Sequence, residues 1–194
     1  MNLSLLILLP LLTALLILLS KNLAQIRTIG LAGSIAQLGA AGWLLKLYMD
    51  QRAAGNTATH LFETNIVWFK ALNINYHIGI DGIALAMILL SSLIVVAGIL
   101  VSWTMEKLSK EYFFLLVLLS MGAYGFFISL DLFTLFFFLE VAVIPKFLLI
   151  GIWGSGKKEN SAMKLALMLM AGSALVFVGL MGIYYNTHTF DMVE

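Results

Sequence analysis

One glutamate and one lysine lie inside a long apolar run of this chain. The run from Leu130 to Trp153 contains Glu140, Pro145 and Lys146, and it can cross a bilayer as one helix because about 20 residues span the hydrocarbon core. Counted from Asp131, Glu140 would lie roughly 13 Å deep. A carboxylate there costs about a few kcal/mol unless it is paired, hydrated or protonated, so such groups commonly mark ion or proton paths. We therefore expect Glu140 to carry a transport function.

Each charged candidate also has a structural interpretation. Glu140 could hold a static ion pair, and its partner must come from another helix because no polar residue lies one turn away on its own. Lys146 lies about 9 Å along the axis and about 120° around it, so only a kink at Pro145 could bring the two side chains together. Lys146 could otherwise reach the membrane interface by snorkelling. Lys164 lies near the start of its helix, where a solvated lysine is the alternative to a transport residue.

The composition identifies a membrane protein and excludes several kinds of site. Of the 194 residues, 62% are hydrophobic and 11% are charged, whereas soluble domains average about 25% charged residues. The lipid bilayer is therefore the expected surroundings. The chain has no cysteine, which excludes disulfides, thiolate metal sites and iron–sulfur ligation. A net charge of +1 with basic residues scattered between apolar runs predicts no nucleic-acid binding.

Apolar runs predict an all-α, polytopic membrane bundle with six transmembrane helices in a single membrane domain, 1–194. The predicted spans are about 3–19, 26–48, 83–103, 112–130, 132–153 and 161–185. Asp81 and Asp131 each stand at a predicted helix start, where a carboxylate caps free N–H groups and interacts favourably with the helix dipole. We therefore expect these two aspartates to be capping residues.

The segment 49–81 differs from the rest in composition. Apolar and polar residues alternate over 72–77, which predicts a short hairpin at the membrane surface, with His77 as an interface residue. The loops on the opposite side of the membrane hold most of the basic residues. By the positive-inside rule that side is cytoplasmic. The N-terminus and the 49–81 loop are then extracytoplasmic, and the expected location is the cell inner (plasma) membrane.

Three stretches, in this order along the chain, resemble the subunit M (chain 4 type) family of proton-pumping NADH:quinone oxidoreductase, respiratory complex I. They are His77 to Met87, reading HIGIDGIALAM, Phe136 to Pro145, reading FFFLEVAVIP, and Ala162-Met-Lys164 followed by Gly172-Ser173. The glutamate–proline stretch resembles antiporter-like subunits in general. The histidine–aspartate–glycine stretch resembles subunit M in particular.

The resemblance implies roles for residues and partners. Glu140 would be the family's fifth-helix glutamate, which pairs with a lysine on the seventh helix and modulates proton loading. The fold would have about fourteen helices, partly in inverted repeats, and this chain would be an N-terminal fragment of it. No redox cofactor is implied here; NADH, FMN, iron–sulfur clusters and quinone would be bound by other subunits. Other membrane subunits of complex I, including antiporter-like neighbours, would be the partners. Lys146 departs from the family pattern, in which an uncharged residue is expected.

These observations predict a proton-translocating subunit that couples quinone reduction to proton transfer through Glu140, Lys146 and Lys164. The chain would belong to an enzyme complex without containing its redox active site. Two alternatives stay open. The chain could belong to a multisubunit sodium/proton antiporter, which shares the glutamate helix, or it could be a membrane scaffold in which Glu140 holds a static ion pair.

Overall fold

Six α-helices and one β-hairpin make up the computed structural model, which describes residues 2–193 apart from the side chain of Ala71. The strands form an antiparallel pair, and short 3-10 turns follow β1 and α3. In chain order the elements are α1 (Leu5–Leu19), α2 (Leu23–Ala53), β1 (Leu61–Phe69), β2 (Ile74–Ile80), α3 (Gly82–Val101), α4 (Ser109–Ile128), α5 (Leu132–Trp153) and α6 (Lys158–Thr187).

Five of the helices, α2 to α6, are long and apolar enough to cross a membrane. Helix α1 has 15 residues, about 22 Å at 1.5 Å per residue, and a bilayer core is about 30 Å thick. Its end is defined locally, because Ser20 has extended backbone and its hydroxyl donates to the Leu16 carbonyl at 2.8 Å. The predicted total of six spans thus rests on a first helix that is shorter than the others.

Helix α4 lies at the centre of the bundle and α6 at its edge. Helices α1, α2 and α3 pack around one side of α4, α5 packs on its other side, and α6 packs on α5. In the most apolar stretch of each helix, 44% of α4 is buried but only 11% of α6. The hydrophobic clusters within α1 to α4 and the β-hairpin are built mainly from isoleucine and leucine side chains.

Helices α4 and α5 form a tight helical hairpin with Asp131 at its corner. Two glycines of α4 allow the close approach. A Cβ on Gly122 would stand 2.9 Å from the Ala142 Cβ, and a Cβ on Gly125 would stand 2.3 Å from the Phe138 ring. Only hydrogen atoms at these two positions permit α5 to pack this closely.

The predicted β-hairpin, formed by β1 and β2, is present. It covers one end of the helix bundle, here called the hairpin end. The turn between its strands places Asn73 in the left-handed region, with φ 51°. Strand β2 is bound to the α4–α5 corner, where the Leu130 N–H donates to the His77 carbonyl at 2.8 Å. A Cβ on Gly79 would come within 2.5 Å of Leu130, so glycine is required for this contact.

The segment after α6 also packs at the hairpin end. The sequence indicates only a polar loop for 186–194. In the structure, the Leu132 N–H donates to the Phe190 carbonyl at 2.8 Å, and the Met192 N–H donates to the Leu130 carbonyl at 2.9 Å. Phe190 is buried and stacks on Tyr184 with ring centroids 4.6 Å apart. These main-chain hydrogen bonds, which the composition does not indicate, hold the segment against the α4–α5 corner.

Candidate functional site

Asp131 begins helix α5 and so determines where along the helix Glu140 lies. Its Oδ1 accepts a hydrogen bond from the Thr134 N–H at 3.0 Å, which is the N-cap interaction. Asp81 caps α3 in the same way, accepting from the Ala84 N–H at 2.7 Å. The predicted capping roles are confirmed. Glu140 then lies roughly 13 Å along the axis from its cap, near the middle of a 22-residue helix.

Three consecutive phenylalanines determine how α5 is rotated about its axis. Phe136 contacts an aromatic ring of α6, with centroids 5.5 Å apart, and Phe137 contacts the indole of β1 at 6.3 Å. Phe138 faces a glycine of α4. Residues three and four apart share a helix face, so Glu140 lies on the side of α5 between α6 and the exposed face that carries Phe137.

The carboxylate of Glu140 is half-buried and has one atom without a partner. Its Oε1 is buried and accepts no hydrogen bond from any residue between 2 and 193, and within that range no basic nitrogen lies within 4.0 Å of the carboxylate. A buried carboxylate oxygen without a partner is costly. The site is therefore incomplete in the described residues, and its chemistry suits either a proton or a cationic side chain.

Lys146 lies on a different side of α5 from Glu140. It lines a groove of about 260 Å³ between α4 and α5, together with apolar residues that include Phe126, Phe138 and Ala142. Helix α5 continues through Pro145 to Trp153. The geometry does not join Lys146 to Glu140, and none of the described carboxylates lies within 4.0 Å of its ammonium group.

Lys164 is exposed on α6 and forms no ion pair in the described part of the chain. Helix α6 begins at Lys158, before the predicted start at residue 161, so Lys164 lies roughly 9 Å inside the helix. The three predicted site residues therefore do not form one cluster. Glu140 lies on the α6 side of α5, Lys146 lies in the groove between α4 and α5, and Lys164 is exposed on α6.

A second polar cluster, at the hairpin end, combines residues that the sequence does not connect. His77 Nδ1 lies 2.7 Å from Asp191 Oδ2, and His77 Nε2 lies 3.8 Å from Glu63. His60 lies 4.0 Å from the other oxygen of Glu63. His77 is only 5% exposed, so its side chain is buried within the protein, and its position at the membrane surface stays a prediction. The interaction joins β2 to the chain beyond α6, and nothing in local spacing could indicate it.

Asp131 has a structural role beyond its cap. Its side chain is completely buried, and its Oδ2 accepts a hydrogen bond from the Asn75 N–H at 3.3 Å. Thr134 completes the link by donating its hydroxyl to the Asn75 carbonyl at 3.2 Å. Burial raises the pKa of Asp131, and the hydrogen bonds from Thr134 and Asn75 oppose part of that rise.

Replacing Asp131 tests this corner. We expect Asp131→Ala to destabilise the protein by about 1–3 kcal/mol, because two buried N–H groups lose their acceptor. Asp131→Asn keeps an acceptor for one of these N–H groups and places an NH₂ donor against the other, so it should also destabilise the protein. Because the pKa of Asp131 is higher in the folded protein than in the unfolded chain, the stability of the wild-type protein falls as the pH rises from about 3.9 through the folded-state pKa. Thermal unfolding measured across this pH range should show Tm falling with pH in wild type and a flatter profile in Asp131→Asn. Equal stability of Asp131→Ala and wild type would contradict the structural role of Asp131.

Comparison with known proteins finds a described family that matches the part of the chain containing α5 and α6. Residues 129–194 match a family model described as "NADH:quinone oxidoreductase/Mrp antiporter, TM". That segment begins at the α4–α5 corner and contains all three predicted site residues, Glu140, Lys146 and Lys164.

Two relatives and one solved structure extend the similarity over nearly the whole chain. The F(420)H(2) dehydrogenase subunit M of Methanosarcina mazei is 30% identical over 98% of this chain and 39% of its own length. NADH-ubiquinone oxidoreductase chain 4 of Marchantia polymorpha is 34% identical over 98% of this chain and 38% of its own. A chain of respiratory complex I from Thermus thermophilus with bound NADH has the same fold, with TM-score 0.79 and 22% identity over 97% of this chain and 38% of that one. This chain thus spans about two fifths of the length of the relatives, 39% and 38%.

Proposed function

The chain belongs to the NADH:quinone oxidoreductase/Mrp antiporter family, and we propose that the full-length protein is the antiporter-like subunit M (chain 4) of a respiratory complex. There it translocates protons across the membrane while other subunits reduce quinone. It is a multi-pass membrane protein. Its relatives carry the names of subunits of enzyme complexes, so the activity is that of an assembly and not of this chain alone.

The observation that carries the proposal is the unpartnered Oε1 of Glu140. A carboxylate in the middle of a membrane helix must find a proton or a cation. Because the relatives are longer than this chain, we place the cationic partner of Glu140 on a later helix of the full-length protein. Competition between the two would let Glu140 take up and release a proton as the partner moves or changes charge.

Lys146 and Lys164 have secondary roles in this proposal. Lys146 lies in the groove between α4 and α5, and Lys164 is exposed on α6. Neither lysine contacts Glu140. They would act on separate steps of transfer between the cytoplasmic surface and the membrane centre. Replacing either should change the rate of proton transfer less than replacing Glu140.

The topology that accompanies the proposal has six spans, with α1 as a short first span. The N-terminus and the β-hairpin are extracytoplasmic in the inner membrane, since the basic loops then lie in the cytoplasm. The partners are other membrane subunits of the complex, including antiporter-like neighbours. NADH, FMN, iron–sulfur clusters and quinone belong to those other subunits, and no cofactor is assigned to this chain.

A second candidate function is a subunit of a multisubunit sodium/proton antiporter. The description of the matched family covers both kinds of assembly. The two functions share the helix that carries Glu140 and differ in what drives the proton. In the first, quinone reduction drives proton transfer; in the second, proton transfer is coupled to the exchange of sodium.

The test uses a strain that lacks the full-length gene and the same strain with the gene restored. Inverted membrane vesicles are supplied with NADH or with F(420)H(2), since the two named relatives differ in electron donor. We expect donor-driven proton uptake to be lost on deletion and to return with the gene. Retained uptake together with lost sodium/proton exchange would favour the antiporter. Retention of both activities would contradict both functions.

A further inference from the structure

Gln37 on α2 compensates for a proline in α1. Pro10 has no N–H and therefore leaves the Leu6 carbonyl without its usual helical donor. Gln37 Nε2 donates to that carbonyl at 3.1 Å, and its side chain is only 3% exposed. This hydrogen bond fixes the orientation of the Gln37 amide, because only its NH₂ group can donate to a carbonyl. The Gln37 Oε1 is consequently directed away from α1.

Two side chains that each carry a buried, unpartnered polar atom line one small cavity between α1, α2, α3 and α4. Gln37 Oε1 and the Tyr124 hydroxyl are both buried, and neither has a hydrogen-bond partner among residues 2–193. Both side chains line the same cavity, which offers about 10 Å³ for the centre of a water-sized sphere. Tyr124 is completely buried, so bulk solvent does not satisfy its hydroxyl. An ordered water is one of the explanations for an unsatisfied buried group in a native structure.

The other polar residues around the cavity are acceptors. Thr13, Ser34 and Ser120 also line it, and each donates its hydroxyl proton to a carbonyl of its own helix, at 2.8, 2.9 and 2.7 Å. Their oxygens retain lone pairs. The site therefore needs a ligand that donates two hydrogen bonds and accepts one from Tyr124.

We propose that this cavity binds one structural water molecule that links Gln37 of α2 to Tyr124 of α4. The volume matches a single water, which needs about 10–15 Å³ on this measure and two to four polar partners. A sodium ion is disfavoured because no carboxylate lines the cavity, and an uncompensated charge in a low-dielectric interior is costly. The water site is separate from Glu140, which lies on α5.

The first test is the direction in which Tyr124→Phe changes thermal stability, measured on the full-length protein in its assembled complex. If a water binds the hydroxyl, removing the hydroxyl loses a hydrogen bond, and Tm should fall. If the cavity is dry, the substitution removes an unsatisfied polar atom and Tm should rise. Tyr112→Phe is the matched control. Tyr112 lies on the same helix and its hydroxyl bonds Ser102 Oγ at 2.8 Å, so the same substitution there measures the effect on Tm of losing a hydrogen bond that the structure shows.

The second test is hydroxyl-radical labelling of the same complex, generated by X-ray radiolysis and read by mass spectrometry. Radicals formed from a bound water attack the adjacent side chain. Once each rate is divided by the intrinsic reactivity of its ring, Tyr124 should therefore be modified several-fold faster than Phe113, which is equally buried on α4 in the apolar core. A higher Tm for Tyr124→Phe with equal labelling of the two residues would overturn the proposal. A sodium-dependent Tm in wild type that Tyr124→Phe abolishes would replace the water with an ion.

Discussion

Glu140→Gln in the full-length protein is expected to abolish most redox-driven proton pumping while the complex still assembles. Glutamine has nearly the same shape and keeps hydrogen-bonding capacity, but it cannot take up and release a proton. A positioned proton-transfer group commonly contributes about 10²–10⁴-fold to a rate, so pumping should fall at least about tenfold. Assembly and donor-driven proton uptake are measured on the same inverted vesicles.

Glu111→Gln is the matched control for this substitution. Glu111 lies exposed in the first turn of α4, so the same chemical change there should leave pumping near the wild-type level. Lost assembly in Glu140→Gln would identify the carboxylate as part of a static ion pair and favour the scaffold alternative. Normal assembly with normal pumping would remove Glu140 from the proton path, and Lys146→Met would then be the next variant to measure.

Gly125→Ala is expected to destabilise the protein although alanine favours helices. The new Cβ would stand 2.3 Å from Phe138, closer than van der Waals contact allows. Overpacking of this kind costs about 1–3 kcal/mol, partly offset by a gain of up to about 1 kcal/mol in helix propensity. Because Phe138 is largely buried, its ring has little room to move, and α5 must shift together with Glu140. We therefore expect a lower Tm and reduced pumping in the same variant.

Gly30→Ala separates this packing effect from the intrinsic effect of replacing a glycine. Gly30 is also buried in a helix, but a Cβ there would lie 3.8 Å or more from its neighbours, which is ordinary contact. The Gly30 variant should be as stable as wild type or more stable. If Gly125→Ala and Gly30→Ala behaved alike, the close approach of α4 and α5 would not depend on the missing side chain.

Local features of the sequence were enough to locate α5 and its central carboxylate. The predicted range 132–153 coincides with the helix Leu132–Trp153, because an uninterrupted apolar run and an aspartate at the N-cap are both short-range signals. The β-hairpin could be predicted for the same reason, since the alternation of apolar and polar residues is a property of the strand itself. The resemblance of the glutamate–proline stretch to antiporter-like subunits also lies within one helix, and the family match confirms it.

Tertiary structure alone decided which distant residues meet. His77 contacts Asp191, although 114 positions separate them, and Gln37 satisfies a carbonyl that Pro10 leaves free in another helix. The sequence also did not indicate that Lys146 would line a groove on α4 while Glu140 faces the α6 side. Helix periodicity places a residue on its own helix but carries no information on which neighbour packs there. That choice depends on close contacts such as those at Gly122 and Gly125, which only the folded chain makes.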